Sequence, residues 1–144
     1  MLLDKKLMDN FKAVLRKEGH KITPQRVAVL KEIIKDKGHR ESEEIYMAIK
    51  GQQVHVSRAT VYRTLDILVE NKFVRKLNLG DGRARYENKI NRHHHDHLIC
   101  EECGKIVEFL DSQIEQLQED VAREYQFILN RHIHQLFGIC KKCQ

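Results

Sequence analysis

Tryptophan is absent from this chain of 144 residues, proline occurs once, and aromatic residues make up only 6% of it. So little aromatic bulk limits the core that two small domains could build, and the weaker one would gain from a metal clip or from dimerisation. No apolar run approaches the length of a membrane-spanning helix, and no membrane partner is expected. The start of the chain, Met1-Leu2-Leu3-Asp4-Lys5-Lys6, lacks the apolar core and small-residue cleavage site of a secretory leader. A cytoplasmic location is the expectation. H-E-x-x-H and a proline before a cysteine pair, marks of zinc hydrolases and deaminases, are also missing, so neither catalysis nor a small-molecule substrate is expected.

Cysteine is confined to two pairs of equal spacing, Cys100-x-x-Cys103 and Cys140-x-x-Cys143, with none left over. Each pair can wrap a tight turn around one zinc ion, and the two together complete a closed tetrahedral sulfur shell. Disulfides would need an oxidising compartment, and a redox dithiol is expected near a βαβ pattern that this chain does not show. Structural Zn2+ is therefore the favoured reading for Cys100, Cys103, Cys140 and Cys143.

The formal charge is +5, with most of the excess Lys and Arg in the first ninety residues and most histidines in the remainder, which suits a polyanionic partner for the first part. There, Leu7, Phe11, Val14 and Leu15 repeat at helical spacing up to Gly19. Thr23-Pro24 opens a second helix with Val27, Leu30 and Ile34 as its stripe until Gly38. Ser42 is placed to cap a third helix carrying Ile45, Ala48 and Ile49. Ser57 is placed to cap a fourth, with Val61, Leu65 and Leu68 inward and Arg58, Tyr62 and Arg63 outward, although Tyr62 could equally pack beneath it. Phe73 to Leu79, the turn Gly80-Asp81-Gly82 and the return Arg83 to Tyr86 read as a hairpin.

Helices followed by such a hairpin describe a winged helix-turn-helix, whose second turn helix enters the DNA major groove. Ser57, Arg58, Thr60, Tyr62 and Arg63 are the candidates near base edges. Lys21, Arg26, Arg83 and Arg85 are better placed for phosphates or a minor groove. The expected fold class is α+β: an N-terminal winged-helix domain, residues 1–88, and a C-terminal α/β dimerisation domain with structural zinc, residues 89–144.

In that second part, His97 to Cys100 and Lys105 to Phe109 read as strands around a turn, and Ser112 with Glu115 forms a capping-box signature. Ile114, Leu117, Val121 and Tyr125 line one helix face, and residues 127–137 return to strand character. An exposed sheet edge offers a second copy a place to pair. The run His93-His94-His95-Asp96-His97 needs its own explanation, because sulfur alone satisfies the zinc site. On a strand, His95 and His97 share one face and His94 and Asp96 the other. One strand can thus serve two imidazole and carboxylate sites, a donor set suited to divalent iron, manganese, zinc or cobalt.

Three stretches, Thr23-Pro24-Gln25-Arg26, Ala59-Thr60-Val61-Tyr62-Arg63-Thr64-Leu65 and the run from His93 to Lys105, resemble the ferric uptake regulator family of metal-dependent bacterial repressors. The resemblance implies a homodimer that binds AT-rich palindromic DNA operators when its sensor metal is loaded. It implies a regulatory Fe2+ or Mn2+ site, which Zn2+ can occupy in vitro, at His39, Glu87, His95, His97 and Glu108. It further implies a second site at His94, Asp96, Glu115 and His132. Glutamate at 87 and 108, where the peroxide-sensing branch usually has aspartate, points to iron sensing, and no cysteine is spare for the sensor site of the zinc-uptake branch.

Overall fold

Local signals account for the helices in order. The computed structural model describes residues 2–35 and 37–144; the side chains of the first four residues, on which the reading of the chain start draws, lie outside the described residues. Helix α1 spans Leu2–Lys17 and buries Phe11 and Leu15 completely. Helix α2 (Pro24–Ile34) starts where the Thr23 side chain accepts the Arg26 N–H at 3.3 Å and proline takes the first helical position. Its buried face is Val29, Leu30 and Ile33 rather than Val27, Leu30 and Ile34, and it ends short of Gly38.

Helix α3 spans Ser42–Gly51 and α4 spans Arg58–Glu70. Ser42 is not the cap of α3. That position belongs to Glu41, whose N–H donates to the Glu44 carboxylate at 2.7 Å, and Ser42 is buried at the first helical position. Ser57 does cap α4, accepting the Thr60 N–H at 3.1 Å. Leu30, Ile45, Ile49, Val61, Leu65 and Leu68 are fully buried with Phe11 and Leu15, each worth about 2 kcal/mol of apolar burial. Strands β1 (Val74–Asn78) and β2 (Ala84–Asn88) pair antiparallel from Val74 opposite Asn88 to Asn78 opposite Ala84. Gly80 and Gly82 at φ +79° and +76° make the turn between them.

Contacts divide the chain into two compact units, Met1–Arg92 and His93–Gln144. The second has a three-stranded sheet in the order β4-β3-β5, with β3 at Asp96–Cys100, β4 at Ile106–Phe109 and β5 at Gln135–Gly138. Strand β3 runs antiparallel to β4 and parallel to β5. Helix α5 (Ser112–Glu124) is capped by Asp111, which accepts the Gln113 and Ile114 N–H groups at 2.8 and 3.2 Å; Ser112 sits inside the helix and forms no capping box with Glu115.

One further expectation changes here. Residues 127–134 are not strand, and only Gln135–Gly138 joins the sheet. The apolar stripe of α5 lies on its helix as expected but is largely exposed. Ala122 is its one buried residue, while Leu117, Val121 and Tyr125 are 63%, 55% and 69% exposed.

Candidate metal centres and nucleic-acid interface

The parallel pairing of β3 and β5 sets the two cysteine pairs side by side. Cys100 ends β3 opposite Gly138 of β5, two residues before Cys140. Each pair closes its own turn: the Gly104 N–H donates to the Cys100 carbonyl at 3.0 Å, and the Cys143 N–H to the Cys140 carbonyl at 2.9 Å. Gly104 sits at φ +73°, a left-handed conformation that favours glycine.

The four sulfurs lie within 4.8 Å of one another, and those of Cys103 and Cys140 are 3.7 Å apart. A disulfide would need about 2.05 Å, and all four cysteines are free thiols. Sulfurs at the corners of a tetrahedral zinc site, each about 2.3 Å from the ion, stand about 3.8 Å apart, so the cage has the right size. Its protonation also suits a cation. Backbone N–H groups of Cys103 and Cys140 hold the Cys100 thiol down to about 6, whereas the side chains of Cys140 and Cys103 push that of Cys143 up to about 12. Crowded sulfurs resist ionising together, and a dication removes that resistance.

A second cluster gathers His94, Asp96, Glu115 and His132, again with donor atoms within 4.8 Å of one another. His94 and His132 approach one oxygen of Asp96 at 3.2 and 3.4 Å through Nε2, and His132 lies 3.3 Å from Glu115. Asp96 is 1% exposed, yet neither of its buried carboxylate oxygens makes a hydrogen bond, nor does Oε1 of Glu115 or Nε2 of His132. Buried polar atoms are rarely left so, and a divalent cation satisfies all of them at once. His134 was not singled out from the sequence; its Nδ1 lies 3.9 Å from the other Asp96 oxygen. The alternate spacing His132-x-His134 was the available signal.

The expected regulatory set is divided between the two units. In the second, His97 faces Glu108 across the β3–β4 register, the His95 and His97 ring centres are 4.9 Å apart, and His95 Nε2 is 3.6 Å from Glu108. In the first, an isolated β-bridge joins Arg40 to Tyr86, with reciprocal N–H to carbonyl bonds of 3.2 and 2.8 Å. The bridge brings the neighbouring residues His39 and Glu87 together at 2.8 Å, with Glu87 buried to 1% exposure. Arg75 and Arg92 approach Glu87 at 3.4 and 3.6 Å.

Of the nucleic-acid candidates, Tyr62 is half exposed and not packed beneath its helix, and Arg63 is exposed beside it. The hydroxyls of Ser57 and Thr60 hydrogen-bond each other at 3.0 Å. Arg58 is exposed but engaged by Glu43. Arg26 donates to the Lys21 carbonyl, and Lys21 itself is exposed. At the hairpin, Arg83 is 65% exposed, whereas Arg85 is held by Asp81 at 2.7 Å and only 11% exposed. Arg63 and Lys21 are thus the more available cations, Arg83 pairs with Glu41 at 3.4 Å, and Arg26 and Arg85 shape the backbone.

The chain is similar to known proteins along nearly its whole length. The chain is 42% identical over 139 residues to the ferric uptake regulation protein of Campylobacter jejuni, covering 95% of this chain and 88% of that one. It is 36% identical over 132 residues to the peroxide-responsive repressor PerR of Staphylococcus epidermidis, covering 92% and 87%. Among solved structures, the Helicobacter pylori ferric uptake regulator Fur, a protein with three functional metal binding sites, matches with a TM-score of 0.89 at 34% identity over 96% of this chain and 92% of that one. A sequence model of the ferric uptake regulator family matches residues 17–137. With helices α2 to α5, the hairpin, strands β3 and β4 and the first cysteine pair all inside that match, the chain belongs to the ferric uptake regulator family.

Proposed function

We propose that this chain, a metal-responsive transcriptional regulator by family, is a cytoplasmic homodimeric repressor of iron-uptake genes that binds AT-rich palindromic operators when loaded with ferrous iron. Residues 1–88 read DNA, and residues 89–144 hold metal and dimerise. Zn2+ is structural at Cys100, Cys103, Cys140 and Cys143. Fe2+ or Mn2+ is the signal, bound by His39, Glu87, His95, His97 and Glu108. A further divalent cation is taken by His94, Asp96, Glu115 and His132.

The observation that carries this reading is the alternation along β3. Asp96 turns its carboxylate, without hydrogen bonds, to His94, Glu115 and His132, while its neighbour His97 lies with His95 and faces Glu108 in the strand register. Imidazole with carboxylate suits Fe2+ and Mn2+, and the glutamates at 87 and 108 favour iron within this family. His39 and Glu87 belong to one compact unit and the other three ligands to the other. One ion bound by all five would fix the angle between the units and so decide whether both recognition helices of a dimer reach their half-sites together. Driving such a switch from mostly off to mostly on takes about 5.5 kcal/mol of preferential binding.

The test is DNA binding under anaerobic conditions against free ferrous, manganous and zinc ion, with the cysteine-bound zinc retained. Ferrous activation at micromolar levels, lost in His97→Ala without loss of folding, is the expected result; DNA affinity indifferent to every metal would refute the reading. A second reading, peroxide sensing with iron or manganese, draws on the match to PerR. Ferrous activation abolished by peroxide treatment would select it.

Dimerisation has its own support. Strands β4 and β5 are both sheet edges, and Leu117, Val121, Tyr125, Phe127, Ile128 and Ile133 are all more than half exposed. An apolar surface of that extent marks an interface, and a second copy of the chain covers it by a self-complementary contact. Sedimentation is expected to show a dimer at micromolar concentration, and a monomer there would contradict the assignment.

A further inference from the structure

Arg58 occupies the first helical position of α4, and its side chain is 58% exposed, yet its orientation is fixed from two sides. Nε donates to both carboxylate oxygens of Glu43 on α3, at 3.1 and 2.9 Å, and Nη2 donates to one of them at 2.7 Å. The guanidinium carbon stands 4.4 Å from the centre of the Tyr46 ring, and Tyr46 is itself buried. An exposed Lys or Arg pair ordinarily contributes little because two long side chains must be ordered for it. Here the bidentate geometry and the aromatic platform do that ordering together.

A guanidinium presents two forked edges. Glu43 takes the edge formed by Nε and Nη2, whereas Nη1 has no hydrogen-bond partner among the described residues. The fork formed by Nη1 and Nη2 therefore remains for a ligand with two adjacent acceptors. In the major groove that ligand is guanine, through O6 and N7. A phosphate contact requires no such fixing, and the Glu43 carboxylate beside the guanidinium opposes a close phosphate.

We propose that Glu43 is a positioning residue for operator recognition: with Tyr46 it holds Arg58 so that its outer fork reads one guanine in each half-site. The inference rests on the DNA-binding reading above and adds a specificity determinant on the helix that precedes the recognition helix. The Glu43 charge lowers general affinity for DNA and sharpens discrimination.

Selection from a randomised duplex library tests it, using the full ferrous-loaded chain as wild type, Glu43→Gln and Arg58→Ala, with sequencing of the bound fraction. The wild type should enrich guanine at one position per half-site. Arg58→Ala should lose that preference at that position alone, and Glu43→Gln should weaken it by about tenfold while binding random duplex more tightly. Metal uptake should not move in either variant, and a merely structural clasp would change affinity for every sequence alike rather than the preference at one position. Guanine preference lost in Arg58→Ala but intact in Glu43→Gln would overturn the role of Glu43. Uniform weakening in Arg58→Ala, with the salt slope reduced by about 0.9, would show a phosphate contact instead. A wild type with no sequence preference at any salt would overturn the DNA-binding reading itself.

Discussion

Cys100→Ser is expected to release zinc and unfold residues 93–144 while residues 1–92 stay folded. Apolar burial in the second unit is slight: Ile99, Cys100 and Ala122 are its buried apolar side chains among the described residues, whereas Phe127, Ile128 and Ile133 are 72%, 92% and 76% exposed. A core that small would need a bound metal or a partner to hold it. Binding to a structural zinc site contributes about 10–16 kcal/mol of apparent free energy, far more than that core supplies. A serine oxygen replaces one thiolate of four and leaves an open, hard donor in a site built for sulfur. The first unit has its own core around Leu30, Ile49 and Leu65, so it does not share this dependence. Zinc content and amide exchange measure the outcome together: loss of protection in β3 and β5 with protection kept in α2 and α4 is expected. Full zinc and unchanged exchange in β3 would refute a structural site.

Glu32→Gln should destabilise the first unit by about 3 kcal/mol at neutral pH, and the loss should shrink in acid. Glu32 is 5% exposed, and burial alone would raise its carboxyl. Hydrogen bonds from Arg40 at 2.8 Å, Lys35 at 2.7 Å and Gln52 at 2.6 Å more than reverse this and hold it at about 2 instead of 4.5. A carboxyl lowered on folding stabilises the fold above its ordinary value, and the contribution is lost as pH falls from 4.5 towards 2. The gap in melting temperature between wild type and variant should be on the order of 10 °C at pH 7 and fall to about half by pH 3. A gap independent of pH would mean that the ionised carboxylate is not what stabilises this network. Arg40 also forms the bridge to Tyr86 that sets His39 beside Glu87, so the variant should weaken ferrous binding as well.

What could be read from the sequence followed the range of the interactions. The cysteine cage was legible because each pair closes its own turn, although the parallel pairing that joins the pairs spans Cys100 and Gly138 and leaves no local signature. Ser42 and Ser112 failed as caps because the acidic residues before them, Glu41 and Asp111, take that position. Residues 127–134 looked like strand because Phe127, Ile128, Leu129 and Ile133 supply the aromatic and apolar side chains that strands favour. Those side chains instead face outward, and a pattern meant for a partner cannot be told from one meant for a chain's own core. The clasp of Glu43 on Arg58 joins residues fifteen apart on two helices, where charge spacing carries no signal. The separation of Asp96 from His97 was legible, since period two is a property of every strand, whereas His94 and His95 lie before β3 and reach their sites without being part of it.

That alternation has a consequence for how the gene can change length. All the proposed ligand sets of the second unit draw on one stretch, with His94 and Asp96 in one, His95 and His97 in another, and Cys100 in the third. Inserting or deleting a single residue between His94 and Cys100 would slip the strand by one, exchange its two faces, and move every imidazole to the site of its neighbour. Substitutions in this stretch damage one site at a time, but a change of length damages all of them together. Among the proteins that share this architecture, insertions should collect elsewhere, at the hairpin turn around Gly80 or in the residues leading to β5, and be absent from these seven positions.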